Sequence, residues 1–470
     1  MPPLARVLVL ALLAGCASTV TGPGITPADE AFLDELQHRT FRWFWERANA
    51  ANGLVPDRWP TQSFSSVAAV GFGLPSYAVG IERGWITREQ GADRVLTTLR
   101  FLVSAPQGPE SSGRTGHQGL FYHFLDMQTG VRFETVELST IDTALLMAGV
   151  LFCREYFTGA AAAETEIRAL ADTLYRRVDW QWMVNTPDRI SMGWRPERGY
   201  IASDWHGYDE AMILLILALG SPTHPVDASF WQTYIGTGRW GEFYGQSHVG
   251  FAPLFGHQYS HIFIDFRGIR EPFIARHGID WFENSRRAVL AQRDYAIDNP
   301  MGWTGYGADV WGLTASDGPV DTTLAVNGTP RRFFTYAARG ASHTEVRDDG
   351  TIVPTAAGGS IPFAPALALR ALRTMRERYP HAWGEYGFLD AFNPTFRFAD
   401  VRLRHGRLVP GAGWVDTDYL GIDQGPILLM AENFRTELIW RHLRRNPYIV
   451  AGLRRAGFTG GWLDAAEAAR

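Results

Sequence analysis

Three stretches of this chain are apolar on every side of a helix: 141–152 (IDTALLMAGVLF), 211–219 (AMILLILAL) and 427–431 (ILLMA). A helix at a protein surface needs one apolar stripe, whereas a helix with no polar face has to be enclosed by others. Between these stretches lie amphipathic helical runs, so enclosed and half-exposed helices alternate along the sequence. An inner ring of helices within an outer ring produces that alternation. The expected fold is therefore all-α, an α/α toroid, with a large irregular helical core as the arrangement the pattern alone leaves open.

The first helix is signalled by Thr26 as N-cap, Pro27 in the first turn and the run Phe32, Leu33, Leu36, Phe41, Phe44, Trp45. A second is expected over 65–82, stopping near Gly84, and a third opens on the capping box Thr87-Arg88-Glu89-Gln90. Further helices are expected over 139–157, 164–178, 208–219, 281–295, 363–379, 424–443 and 447–456. Long loops rich in Gly and aromatic residues separate them at 221–279 and 299–362; loops of that length are functional or disordered, and the aromatic content argues against disorder. No βα alternation and no Pro/Ser-rich linker interrupts the run, so 29–470 reads as one domain behind a Thr/Gly/Pro tether at 17–28.

Residues 1–14 carry one Arg and a short apolar run, too brief for the roughly 20 residues of a membrane span. The run ends in Leu13-Ala14-Gly15-Cys16, which resembles a bacterial lipobox, and the expectation is a signal peptide (1–16), lipidation at Cys16 and an outer-membrane lipoprotein facing the periplasm or the cell surface. Cys153 is then the sole remaining cysteine and no intrachain disulfide is expected.

The 44 basic residues stand against 49 acidic ones, giving −5 with no basic block, which argues against a nucleic-acid partner. All the basic residues are Arg, because the chain has no Lys. That removes Schiff-base and pyridoxal-phosphate catalysis and the phosphate-loop lysine. No GxSxG elbow occurs, and the GxGxxG string at 236–241 has no βαβ setting. His257 and His261 have helical metal-pair spacing but lack the Glu of HExxH, and Asp348-Asp349-Gly350 is far short of a calcium loop. No cofactor and no metal are expected.

Each enclosed helix carries an acid at or just before its first turn: Asp142, Glu210 beside Asp209, and Asp423. If the inner helices run parallel, these acids open on one end of the ring, where a carboxylic acid and a carboxylate could perform the protonation and water activation of glycoside hydrolysis. Asp142 also fits a capping box with Ser139, and Asp423, before Gln424-Gly425-Pro426, also fits a helix cap. Glu210 stands among Ile213, Leu214 and Leu217, which should raise its pKa, while the helix N-terminus pulls it down. Asp209 points elsewhere and reads as structural; Glu137 and Glu432 are reserves. Trp205, Tyr208, His257, Tyr259, His261, Arg267, Trp303, Tyr306, Trp311, Tyr386 and Trp414 lie in or beside the loops and are the candidate sugar-binding residues, a minority of them lining the groove and the rest packing.

Longer strings make the chain specific: 137–144 (ELSTIDTA), 205–225 (WHGYDEAMILLILALGSPTHP), 255–269 (FGHQYSHIFIDFRGI), 283–295 (ENSRRAVLAQRDY), 355–365 (TAAGGSIPFAP), 384–394 (GEYGFLDAFNP) and 418–436 (DYLGIDQGPILLMAENFRT). With these the chain resembles the bacterial glycoamylase-like domain family, which includes endo-β-1,2-glucanases. The resemblance spans about 31–458. It implies a six-hairpin (α/α)6 toroid, hydrolysis of β-linked glucans, and inversion in the endo-β-1,2-glucanase branch with Glu210 as general acid. The sequence departs from the family pattern at Asp209, where a small polar residue such as Asn or Ser is expected.

The resulting expectation is a lipid-anchored, monomeric glycoside hydrolase of a β-glucan, β-1,2-linked, with Glu210 as acid and Asp423 or Asp142 directing water. Two other readings stand beside it: a polysaccharide lyase on the same toroid with Tyr259 or His261 as base, and a glycan-binding lipoprotein without catalysis.

Overall fold

The computed structural model of the chain describes residues 25–468; the expected signal segment, Cys16 and most of the expected tether lie outside the described residues. In order, the helices are α1 (Pro27–Arg47), α2 (Val67–Glu82), α3 (Arg88–Ser104), α4 (Thr140–Tyr156), α5 (Ala162–Arg176), α6 (Met212–Gly220), α7 (Ser229–Gly236), α8 (Tyr259–Phe263), α9 (Pro272–Ala275), α10 (Trp281–Asp298), α11 (Pro354–Gly358), α12 (Pro365–Arg378), α13 (Gly421–Thr436), α14 (Leu438–Leu443), α15 (Pro447–Arg455) and α16 (Gly461–Ala468). Strands are short, two to five residues each.

The enclosed helices form the inner ring. Helix α2 packs on α4, α4 on α6, α6 on α8, α8 on α13, and α13 returns to α2. Short α11 completes it: it packs on α13, and the Gln258 amide just before α8 donates to Ala356 O (2.8 Å) and Ser360 Oγ (2.9 Å). Every residue of α6 is buried, as is nearly all of α2 and α4. Amphipathic α1, α3, α5, α12 and α15 lie outside against these six. The architecture is thus the expected α/α toroid.

Glycine permits the close crossing of α4 on α2. A Cβ on Gly149 of α4 would stand 2.1 Å from the carbonyl oxygen of Gly71 on α2, and one on Gly71 would stand 2.5 Å from the carbonyl oxygen of Leu145. The backbones touch there, which a side chain on either residue would prevent.

Short antiparallel ladders form the rim at which the inner helices begin. Arg58–Trp59 pairs with Tyr419–Leu420 just before α13, and Ser65–Ser66 pairs with Phe124–Leu125 just before α2. Leu138–Ser139, just before α4, lies between Leu120–Tyr122 and Gly193–Arg195. These ladders hold the N-termini of α13, α2 and α4 on one end of the ring.

Two sequence expectations change. The helix expected over 208–219 begins only at Met212, so Glu210 sits in the preceding turn. The run 424–443 is two helices, parted at Glu437, whose left-handed backbone (φ 56°) ends α13. The long loops contain structure of their own, including the hairpins Trp240–Phe243/Gln246–Val249 and Thr322–Val326/Thr329–Phe333. Cys153 is a buried free thiol.

Candidate active site

Glu210 is positioned by its backbone. Ser260, at the start of α8, donates its hydroxyl to Glu210 O (2.8 Å) and accepts from the Ile213 amide (2.9 Å), so one serine joins the mouths of α6 and α8. The Glu210 side chain keeps some solvent contact while protein surrounds it. Burial first, then the negative charges of Asp209 and Asp142, push its carboxyl well above the ordinary glutamate range. Asp209 points away: its Oδ1 accepts from Tyr234 OH (2.8 Å) and the Ala211 amide (2.9 Å), and burial pushes its pKa up to about 7. Asp209 is thus anchored structurally, and it also acts on Glu210 through its charge.

Asp142 lies in the first turn of α4, buried, held by the Ser139 hydroxyl and by His123 Nε2 at 3.6 Å. The full capping box is absent, because Asp142 accepts from the Ser139 hydroxyl and not from its backbone. On its other side the His123 ring meets Glu137 through Nδ1–Oε1 at 2.9 Å, and Glu137 also accepts from Arg195 at 3.2 Å. Burial alone would lower the imidazole, but the carboxylates of Asp142 and Glu137 push it up to about 9. The hydrogen bond from His123 holds Glu137 down at about 2. Glu137, a reserve in the sequence reading, is therefore half of a clamp on Asp142.

Asp423 lies in the first turn of α13, buried, with its backbone carbonyl tied to Thr355 Oγ1 of α11 at 2.8 Å. Its carboxyl is pushed up to about 7 by burial and is hydrogen-bonded to Asp390. Tyr259 relates the three acids: burial raises its hydroxyl far above the ordinary range, followed by the charges of Asp423, Glu210 and Asp142. The acids from three distant segments thus act on one tyrosine at the head of α8.

Tyr336 was not singled out by sequence. It is 53% exposed, yet burial and the charges of Asp423, Asp390, Asp57 and Asp317 raise its hydroxyl well above the ordinary range. A hollow of about 290 Å³, lined by Arg47, Arg58, Trp59, Gln62, Ser63 and Met127, opens beside Arg58. Trp59 lies under the Arg47 guanidinium at 4.6 Å, the kind of partly open indole face a pyranose can stack on. No motif marked these residues; Trp59-Pro60 after an Asp-Arg pair was the available signal.

Of the aromatic and basic candidates, Trp205 and Tyr259 stand nearest the acids, and the Trp205 indole donates to Thr140 Oγ1 (2.9 Å) at the start of α4. The others are built into packing. Tyr208 is stacked on Trp281 (4.9 Å between ring centroids) and bonded to His257 Nδ1 (3.0 Å), and burial lowers His257 far below the ordinary range. His261 bonds Ser285 (3.0 Å) and is pushed down to about 3 by burial. Trp303 and Tyr306 both donate to Asp348, at 2.8 and 2.6 Å. Trp311 has no exposed surface, Tyr386 donates to Glu46 (2.9 Å), and the Trp414 indole donates to His405 O (2.8 Å).

Arg267 belongs to the opposite end of the ring. It pairs with Asp265 (2.8 Å) and with Glu437 (2.8 Å) beyond the C-terminus of α13. A helix of that length sets Glu437 about 20 Å from Asp423, by the 1.5 Å rise per residue. Glu432 likewise accepts from Gln37 and Arg83, fully buried.

A six-membered inner ring whose mouths present buried acids defines an (α/α)6 toroid with a carboxylate site. The Glycoamylase family model matches residues 202–447, and the chain belongs to that family. The exo beta-1,2-glucooligosaccharide sophorohydrolase (non-reducing end) of Parabacteroides distasonis is 29% identical over 93% of this chain and 59% of its own length, so the chain spans about three fifths of that curated relative. The endo-beta-1,2-glucanase of Chitinophaga pinensis, solved with sophorotriose and glucose, superposes with a TM-score of 0.77 at 28% identity, covering 92% of this chain and 99% of that one. The endo-beta-1,2-glucanase of Talaromyces funiculosus, solved with sophorose, shares the fold at a TM-score of 0.63 and 11% identity, over 87% of this chain and 85% of its own.

Proposed function

We propose that this chain is a glycoside hydrolase of β-1,2-glucan, cleaving internal linkages with inversion. The observation that carries the reading is Glu210: a glutamate in contact with solvent, raised by burial and by Asp209 and Asp142, is biased toward its protonated form and can deliver that proton to a departing sugar oxygen. The charge of Asp142, which stands 3.6 Å from His123 Nε2, helps to hold that proton. Asp423, whose charge is felt by Tyr259 together with those of Glu210 and Asp142, is the base that directs water at the anomeric carbon. The relatives that act on β-1,2-glucans support the substrate class.

The lyase reading is disfavoured by the candidate bases themselves. His261 is buried against Phe266 and Phe363, and the Tyr259 hydroxyl is driven toward its protonated form by its acidic surroundings. At the cellular level the reading keeps a Cys16-anchored, monomeric outer-membrane lipoprotein, checked by radiolabelled-palmitate incorporation into wild type and Cys16→Ala and by sedimentation of the soluble domain.

The test is incubation with glucans of defined linkage, following reducing ends and product length. Release of short oligosaccharides from β-1,2-glucan, absent in Glu210→Gln, supports the reading. Binding of the glucan without release of reducing ends would support the non-catalytic alternative.

A further inference from the structure

Behind Asp423 lies a group of carboxylates that the proposed reaction does not use. Asp317, Asp390 and Asp416 are buried and each offers an oxygen within 4.8 Å of the others. They come from three separate segments. Asp57, Asp418 and Asp423 adjoin them; Arg58 pairs with the group, at 2.6 Å from Asp317, 3.2 Å from Asp57 and 3.9 Å from Asp418, and the buried Arg339, paired with Asp349, also feels the charge of Asp390. His405 Nδ1 stands 3.7 Å from Asp317.

A second observation points to a ligand. Each carboxylate of the trio has one oxygen tied by the protein and one left over. Asp317 Oδ2 accepts from Arg58, Asp390 Oδ2 accepts from the Asp317 amide (2.7 Å), and Asp416 Oδ1 accepts from the amides of Thr417 (2.6 Å) and Asp418 (3.3 Å). Asp317 Oδ1 and Asp416 Oδ2 are fully buried with no donor, and Asp390 Oδ1 is without a donor from any group other than the carboxyl of Asp423. Buried acceptors left unpaired are destabilising, more so when charged. Native folds do not accumulate them at one point without something to satisfy them.

We propose that Asp317, Asp390 and Asp416 bind a divalent, oxygen-seeking cation of calcium size. Oxygens that all lie within 4.8 Å of one another can share one ion at calcium–oxygen distances of about 2.3–2.6 Å, and calcium accepts irregular carboxylate sets that magnesium, with its near-octahedral demand, does not. All three donors are hard carboxylate oxygens, which disfavours zinc and copper. The ion would neutralise the charge excess and fix Asp390, and through it the side chain of Asp423. The site is read by metal binding and needs no assumption about the substrate.

The experiment uses the whole chain stripped with chelator. Calcium, magnesium and manganese are titrated separately by isothermal calorimetry, with thermal unfolding in parallel, on wild type and Asp416→Asn. The variant keeps the acceptor for the Thr417 and Asp418 amides and replaces the free oxygen with an NH2 that can donate to its neighbours. Expected are one calcium per chain, a calcium-dependent rise in Tm, and at least tenfold weaker binding with little Tm response in Asp416→Asn. The stripped variant should melt no lower than stripped wild type, because its amide supplies the missing donor. No calcium binding to stripped wild type, or binding unchanged by Asp416→Asn, overturns the proposal and leaves shared protons as the way these acids coexist.

Discussion

His123 is the most quantitative handle on the site. Its imidazole rises from an ordinary value near 6.5 to about 9 because Asp142 and Glu137 outweigh the effect of burial. A folded-state pKa above the unfolded one contributes stability that is full below about pH 6.5 and is lost as pH rises through 9. At 1.36 kcal/mol per pH unit the interval corresponds to about 3 kcal/mol. The imidazole is 31% exposed, and solvent screening brings the expected value nearer 2 kcal/mol. The perturbation is His123→Gln, compared with wild type by urea unfolding at pH 6, 7, 8, 9 and 10. The gap should be about 2 kcal/mol at pH 6, shrink between pH 7 and 9, and approach its pH-independent packing remainder at pH 10. Direct titration of the imidazole by NMR should give a value well above 7. A gap that stays constant across this range, or an imidazole titrating near 6.5, would refute the reasoning that places a cation between the two acids.

Glu210→Gln should lower kcat by about 10²- to 10⁴-fold, the usual contribution of a positioned acid, with the fold intact by circular dichroism; near-normal turnover on the native polymer would remove Glu210 from its role. Asp209→Asn takes away a negative charge that raises Glu210, so the alkaline limb of the kcat/KM profile should move to lower pH; no movement, or movement upward, would contradict the assigned cause. Gly149→Ala puts a methyl 2.1 Å from Gly71 O with only backbone to yield, and overpacking of this kind costs about 1–3 kcal/mol. Gly236→Ala, which meets nothing within 4 Å, is the control, and equal melting points for the two variants would be inconsistent with the crossing described.

The ring was legible in the sequence because enclosure leaves a compositional mark: helices such as α6 have no polar side to give to solvent. The acids at their mouths were legible for the same reason, each being the polar exception at the start of an apolar run. Position within the turn was not legible, since Glu210 precedes its helix and Asp423 lies inside its own. Which of the aromatic candidates line a groove was not legible, because Trp and Tyr serve sugar stacking and core packing with the same surface; Tyr208, Trp303 and Trp414 use their polar edges on internal acceptors. Tyr336, Arg58 and the trio behind Asp423 escaped notice because their segments converge only in three dimensions. Each aspartate alone, as in Gly318-adjacent Asp317 or Thr417-adjacent Asp416, looks like an ordinary loop acid.

The central claim is that an acid and a base from separate inner helices act across one sugar, with a water between base and anomeric carbon. The most direct measurement is the anomeric configuration of the first products released from β-1,2-glucan, followed by proton NMR before mutarotation. The α-anomer appearing first, with loss of the signal in both Glu210→Gln and Asp423→Asn, is the expected result. A β-anomer appearing first would mean a double displacement, for which this division of roles between Glu210 and Asp423 is wrong.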